Sequence, residues 1–581
     1  MLSFREVIFL FFFTIFSFDC LAIDYFISQS SGNDDNTGIS PAVAIKSLTR
    51  VNNLSLSPGD ALYFHKGDTW HGYLKPLGSG NLNLPIRIDS YGEGETPIIN
   101  GFGYHAAILI HNEDNYHISN LKLINEDTHL DQNDKVKRIE GFFLDGSLER
   151  YGLKVVADSR SLNNFKFENI SIQNIFPTEG HMGYGIKFES TSDRSLDNYF
   201  VISNVDMNQL KISNTGHYGI WIKPLGLYGI TDNYKHYKYT LKNSKIHNTG
   251  GAGISIVKVN DVLIENNHFD GTGSSSDHRM YARGSGGFVF DSKNAVIQNN
   301  IFENAKGTLD SYGFHIDYNN EDVMVQYNLS RNNEGGFIQI LGNNINSGYR
   351  FNISHGDGSR ILGINGATQN GRLVNISSYC IINGITQNCQ SIGNFVYNNT
   401  IHIPVGLNPK IHFGSKSGET FFYNNIFVSE SYSHTINSTL NETMNTFKMD
   451  SNLFFPQEYF QLHHLIEENS YFIDPKLILN TQNEKFKYRL ELDSPAYQVG
   501  KNILEVIRDE HHTFHNIERD FFKNQFTSFN FLNVGADNSP TGDLFILPAM
   551  NFFFLSFLFG VLTFLNFKYK RSFKSNSHFS V

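Results

Sequence analysis

The chain reads as an all-β protein, a single-stranded right-handed parallel β-helix, and three observations predict this fold. A short pattern, apolar residues followed by Asn and another apolar or small residue, recurs along the 581 residues: HISNLKL at Asn120, FENISI at Asn169, LKNSKI at Asn243, IENNHF at Asn267 and IQNNIF at Asn300. It continues at Asn328, Asn352, Asn375, Asn399 and Asn425, and from Asn300 the steps are 28, 24, 23, 24 and 26 residues, the period of a solenoid coil. Between the repeats, β-branched and aromatic residues alternate with polar ones over four or five positions, and no long 3.6-period run offers a helical repeat. Short strands of one coil would stack on the next about 4.8 Å away. The asparagines then form a ladder, each satisfying backbone groups at a tight turn and bonding its copies, so all of them are read as structural.

Taken in order, residues 1–22 have one Arg and an apolar run from Val7 to Phe18, with small residues at Cys20 and Ala22. That is the pattern of a cleaved signal peptide, and the run is short of the roughly 20 residues that span a bilayer. Residues 23–105 are expected to form an N-terminal cap segment, 106–455 the β-helix, and 456–543 a closing segment and linker. The uncharged run 544–567 is long enough to cross a membrane, and Lys568, Lys570, Arg571 and Lys574 should hold the tail 568–581 in the cytoplasm. The body is therefore expected outside the cell, either anchored at its C-terminus or freed when the same run and tail are cut off as a sorting signal. After signal removal only Cys380 and Cys389 remain, and one disulfide or two buried thiols are both open. A net charge of −11 is modest for this length and gives no reason to expect nucleic acid as a partner; a monomer is expected.

A second motif, Gly followed by apolar, any, apolar, runs in phase with the first: GIKF from Gly185, GIWI from Gly219, GISI from Gly253, GFVF from Gly287 and GFHI from Gly313. Alternate residues of a strand face opposite sides. This predicts an exposed row of Lys187, Trp221, Ser255, Val289 and His315, and another of Glu189, Lys223, Val257, Asp291 and Asp317. In the next coil, EGGFIQIL, burial of Ile338 and Ile340 places Gln339 above His315 and Glu334 above Asp310, a register that one residue of slip would undo. The loops before these strands add His181, His217, Arg283, Asp310 and Glu334. Together they have the ingredients of a carbohydrate groove: Trp221 to stack on sugar, Lys187 and Lys223 as cations, and carboxylates in neighbouring coils. Asp291 and Asp317, stacked one strand spacing apart, should titrate apart, the asymmetry that acid–base catalysis needs. Along an extended strand Asp310 and Asp317 would be roughly 20 Å apart, too far to flank one glycosidic bond unless the turn near Asp310 bends the chain.

Two stretches carry a resemblance. The opening IDYFISQSSGNDDNTG and PIRIDSYGEGETPIING, with the later FIDPKL, RLELDSPAYQVGKN and FLNVGAD, resemble secreted right-handed β-helix enzymes of the pectate-lyase-like superfamily. The central GTLDSYGFHIDYNNEDVMVQYNLSRNNEGGF is similar to glycoside hydrolases of this fold, in which D-x-x-G-F-D-x-D precedes a QYN-S-x-x-N-E-G-G-F strand. The resemblance implies Asp310, Asp317 and Glu334 as the acidic residues, with His315 standing where the pattern has an acid. It implies an extracellular polysaccharide hydrolase, with Asp317 and either Asp310 or Glu334 as acid and base or nucleophile, and His315 assisting. Lys187, His217, Trp221, Lys223, Arg283, Asp291 and Gln339 would hold the glycan. Two other readings stand beside it. In a polysaccharide lyase, His315 or a nearby Lys or Arg would take the proton beside a uronate carboxylate, and Ca²⁺ or Arg would neutralise the intermediate, with Asp291, Asp310 and Asp317 as candidate Ca²⁺ ligands. The third is a non-catalytic glycan-binding surface protein.

Overall fold

The computed structural model describes residues 22–126, 137–142, 148–193, 198–224, 236–382, 384–414, 416–430, 434–438, 447–462, 469–483, 487–503, 519–526 and 532–539. Among them, strands form three long parallel sheets of fourteen, thirteen and twelve strands. A coil contributes one strand to each: Lys293–Gln298 to the first, Ile301–Glu303 to the second and Phe314–Ile316 to the third. In-register stacking, for example Val262 on Ala295 on Val323, puts like side chains over one another in successive coils. The inward set, mostly Ile, Val, Leu and Phe, forms one core cluster running from Ile27 to Phe460. Each such side chain, removed from water, contributes about 1.5–3 kcal/mol.

The cap segment starts the solenoid itself. Asp24–Ile27, Ala61–His65 and Ile86–Tyr91 are the first three strands of the fourteen-stranded sheet. Leu48, Val51, Leu54 and Leu56, in and after the short helix Leu48–Val51, join the core there. The closing segment lies along the second sheet, where Leu490, Ala496 and Val534 pack on Ile426, Val428 and Leu453. No described helix is long and apolar enough to cross a membrane. The expected signal peptide (apart from Ala22), the apolar run 544–567 and the basic tail lie outside the described residues.

The turn between the first and second sheets explains the asparagines. Asn267, Asn300, Asn328, Asn352, Asn399, Asn425 and Asn452 form a buried ladder in which each Nδ2 donates to the next Oδ1 at 2.9–3.1 Å. The same oxygen accepts the preceding residue's backbone N–H, as Asn328 Oδ1 does from Asn300 N. The residue before each ladder Asn is left-handed, φ 50–58°, even where it is Tyr327 or Phe351. That conformation costs about 1–2 kcal/mol in a residue with a side chain, and the ladder bonds offset it.

Four of the expected ladder residues do other work. Asn120, Asn169 and Asn243 occupy the left-handed position (φ 55, 51 and 51°), and Asn169 bonds Asn120 outside the core at 2.7 Å. At the coil of Asn243 the adjacent Ser244 donates its N–H to Asn267 Oδ1 at 2.9 Å. Asn375 is absent from the ladder, because Asn352 bonds directly to Asn399, 47 residues on. A long coil had mimicked two short ones, and Asn375 belongs to the strand Arg372–Ile376 of the third sheet. From that coil also projects an antiparallel hairpin, Tyr379–Ile382 with Ile385–Asn388, and a disulfide joins Cys380 to Cys389 at its base (Cα–Cα 5.9 Å).

Candidate active site

A cleft of about 710 Å³ lies on the outer face of the third sheet, over the strands Gly287–Phe290, Phe314–Ile316, Ile338–Ile340 and Arg372–Ile376. One expected register fails here. His315 pairs with Phe288 rather than Val289, and Ser255 with Phe288. The double glycine Gly286–Gly287 allows two frames, and the one adopted buries Val289 while turning Phe288 toward the cleft. Asp291 is thereby shifted out of the row: it is buried, left-handed at φ 51°, and 3.5 Å from Lys258 Nζ. It is not stacked on Asp317, whose row position is taken by Phe290. The register of the following coil holds, with Ile316 on Ile340 and Tyr312 on Gly336.

Asp310 and Asp317 line the same cleft. The chain does not run extended between them: Asp310 (φ 54°) and Ser311 (φ 66°) are both left-handed and turn it back. Arg283 Nε and Nη2 both bind Asp310 Oδ2, at 2.9 and 2.7 Å, which leaves Oδ1 without a protein partner among the described residues. Asp317 Oδ1 accepts the Tyr318 N–H at 3.1 Å. Asp317 is partly accessible at the cleft wall, yet so enclosed that burial, with the Asp310 charge second, pushes its carboxyl up to about 8. Desolvation disfavours the charged form, and a like charge nearby adds to it. At neutral pH Asp317 is therefore a carboxylic acid, in the same cleft as the Arg283-bound Asp310.

His315 is buried, with Tyr312 stacked at 5.8 Å and Phe288 edge-on at 5.3 Å. Burial, against the pull of Asp310, lowers its pKa to about 4, so the ring is neutral. Gln339 lies 2.7 Å from its Nδ1, as the stacking predicted. His217 also lines the cleft, lowered to about 3 by burial and then by His181 and Arg283.

The other candidates lie elsewhere. Glu334 stacks over Asp310 but is not part of the cleft lining; its Oε2 accepts the Gly307 N–H at 3.0 Å and holds the loop that leads into Asp310. Lys187 belongs to a separate buried network several coils away, 2.9 Å from Glu189 Oε2, which Lys154 also approaches to 2.9 Å. Burial alone would raise Glu189, and the two lysines hold it down to about 2. Trp221 is stacked on Tyr184 at 4.9 Å, with Lys187 Nζ 4.2 Å and Lys223 Nζ 5.1 Å from its ring centroid, so it packs protein rather than facing this cleft.

The sequence reading missed Arg372, Asn375, Tyr218, Tyr281, Tyr318 and Tyr379, all of which line the cleft. Tyr379 comes from the disulfide-tied hairpin, which no strand period announces. The tyrosines and Phe288 supply the aromatic surface that Trp221 was expected to give, suited to stacking on sugar.

The acidic rows do not suit Ca²⁺, which takes six to eight oxygens, several of them charged. Asp291 faces Lys258, Asp310 is held by Arg283, and Asp317 keeps its proton. No step below is routed through a metal.

Comparison with known proteins agrees with the architecture. The model of the right handed beta helix region family matches residues 152–401, under half of the chain. A lacto-N-biosidase of Bifidobacterium longum subsp. longum is 24% identical over 487 residues, covering 70% of this chain and 29% of that protein. Among solved structures, a GH136 lacto-N-biosidase from Eubacterium ramulus superposes with a TM-score of 0.49 and 18% identity, over 77% of this chain and 67% of that one. An alginate lyase from a Paenibacillus species superposes at 0.35 and 17% identity, over 57% and 97%. The chain is an all-β protein of stacked parallel sheets that matches the right handed beta helix region over residues 152–401 and is similar to a lacto-N-biosidase. It spans less than a third of the Bifidobacterium relative's length.

Proposed function

We propose that the cleft hydrolyses glycosidic bonds, and the observation that carries this reading is the unequal pair Asp310 and Asp317. Hydrolysis of a glycoside needs a proton for the leaving oxygen and a carboxylate on the other side of the anomeric carbon. Asp317 holds a proton up to about pH 8 and is the general acid. Asp310, positioned by Arg283 through one oxygen, offers the other to attack the anomeric carbon or to activate water. His315, lowered to about 4, is a poor base for the proton abstraction a lyase requires. Tyr218, Tyr281, Tyr379 and Phe288 would hold the sugar rings. Similarity to a lacto-N-biosidase supports hydrolysis over elimination. The location outside the cell, with the run 544–567 as a membrane anchor, belongs to the same proposal, and the disulfide between Cys380 and Cys389 supports an oxidising compartment.

The test is an assay of the full chain, wild type beside Asp317→Asn, on lacto-N-biosides, other neutral glycans and uronate-containing polysaccharides. New reducing ends without ultraviolet absorbance, lost in the variant, are expected. An unsaturated, absorbing product would make the protein a lyase. Binding without turnover by the wild type would make it a glycan-holding surface.

A further inference from the structure

We propose that Arg372, Asn375 and Gln339 form a one-way hydrogen-bond relay that holds the His315 proton on Nε2, making that N–H a donor to an acceptor oxygen of the bound sugar. The inference rests on the cleft being a sugar site, as proposed above. A guanidinium can only donate. Arg372 Nη1 donates to Asn375 Oδ1 at 2.9 Å, which turns the amide nitrogen of Asn375 the other way. That nitrogen donates to Gln339 Oε1 at 3.1 Å, which in turn aims the Gln339 amide nitrogen at His315 Nδ1, 2.7 Å away. Nδ1 must then present its lone pair, so the proton of the neutral ring sits on Nε2. Asn375, Gln339 and His315 are 5, 6 and 4% exposed, so water has little access with which to scramble the direction.

Nε2 is buried and has no protein partner among the described residues, in a ring that lines the cleft. Leaving a buried donor unpaired is unfavourable, and a ligand oxygen recovers that loss. The group opposite it is therefore a hydroxyl lone pair, an amide carbonyl or a carboxylate, and an ammonium there is rejected. The relay also removes His315 as a proton acceptor, because Nδ1 is taken by Gln339 and Nε2 already carries the proton.

Direction can be reversed without touching the histidine. In Asn375→Asp the carboxylate stays on Arg372 and can only accept. Gln339 must then turn its NH₂ toward residue 375 and its oxygen toward His315, which moves the proton to Nδ1. The full chain, labelled with ¹⁵N-histidine, reads this by NMR, with His315→Gln identifying the signals. Wild type should show protonated Nε2 and bare Nδ1, and Asn375→Asp the reverse. Gln339→Glu, which accepts from Nδ1–H directly, should give the same reversal, and both variants should lose about tenfold or more in kcat/KM. A wild-type Nδ1–H ring, or an Asn375→Asp tautomer unchanged from wild type, overturns the relay. The tautomer is read without turnover, so failure of the relay and failure of the hydrolase reading are separate results.

Discussion

Asp317 links the chemistry of the cleft to the stability of the chain. An unfolded Asp titrates near 3.9, whereas the folded group is held up to about 8 by burial and by Asp310. Between those values the folded chain keeps a proton that the unfolded chain has released, so this group's contribution is fully present below about 3.9 and is lost as pH rises through about 8. Asp317→Asn is neutral at every pH and escapes that loss. Its melting temperature should exceed that of wild type at pH 9, with the gain shrinking toward pH 5; a variant less stable than wild type at pH 9 would contradict the shift. His315 works in the opposite sense: depressed to about 4, its contribution is present above about 6.5 and lost as pH falls through about 4. At this scale His315 and Asp317 were legible because strand alternation places residues two apart on one face, Gln339 because coils stack in register, and Asp310 from the motif of its loop. Arg372 was not, since one Arg on a strand has no signature. Asn375 was hidden by its spacing, which happened to match the ladder period.

At the scale of elements, the ladder does the bonding that the turns cannot do for themselves. Asn328 donates to Ile297 O and Asn352 Oδ1 and accepts from the backbone and side chain of Asn300. Asn328→Ala leaves buried partners unsatisfied and should destabilise by about 3 kcal/mol. Asn169→Ala, at the outer left-handed position with a bond to Asn120, should cost about 1 kcal/mol. Denaturant unfolding of the two variants checks the order, and equal losses would contradict the distinction. The repeat was legible because coil geometry forces it on the sequence. The frame of the Gly287 coil was not, because Phe288, Val289 and Phe290 are all apolar and a hydrophobic pattern cannot choose between them. Lys187 and Lys223 sit in the rows expected, Lys187 beside Trp221 and Lys223 beside Glu189, but stacking does not say which part of a twelve-stranded sheet lines the cleft.

For the whole molecule, the solenoid lays a long outer face beside its core, and the connections on either side of its third sheet decide where that face becomes a site. The cleft forms where the long coil between Asn352 and Asn399 sends out the strand bearing Arg372 and Asn375 and then the tied hairpin bearing Tyr379. Fold was therefore readable from period alone, whereas the walls of the site come from the segment that breaks the period. The proposed division of labour is a proton from Asp317 and a carboxylate from Asp310. It is tested most directly by kcat/KM of wild type, Asp310→Asn and Asp317→Asn on one glycoside with a sugar leaving group and on the same glycone with an activated aryl leaving group. Both variants should lose about 10²–10⁴-fold on the first, and only Asp317→Asn should recover most of its activity on the second, where departure needs no proton. Recovery by Asp310→Asn alone would reverse the assignment, and undiminished activity in both variants would place the chemistry outside this cleft.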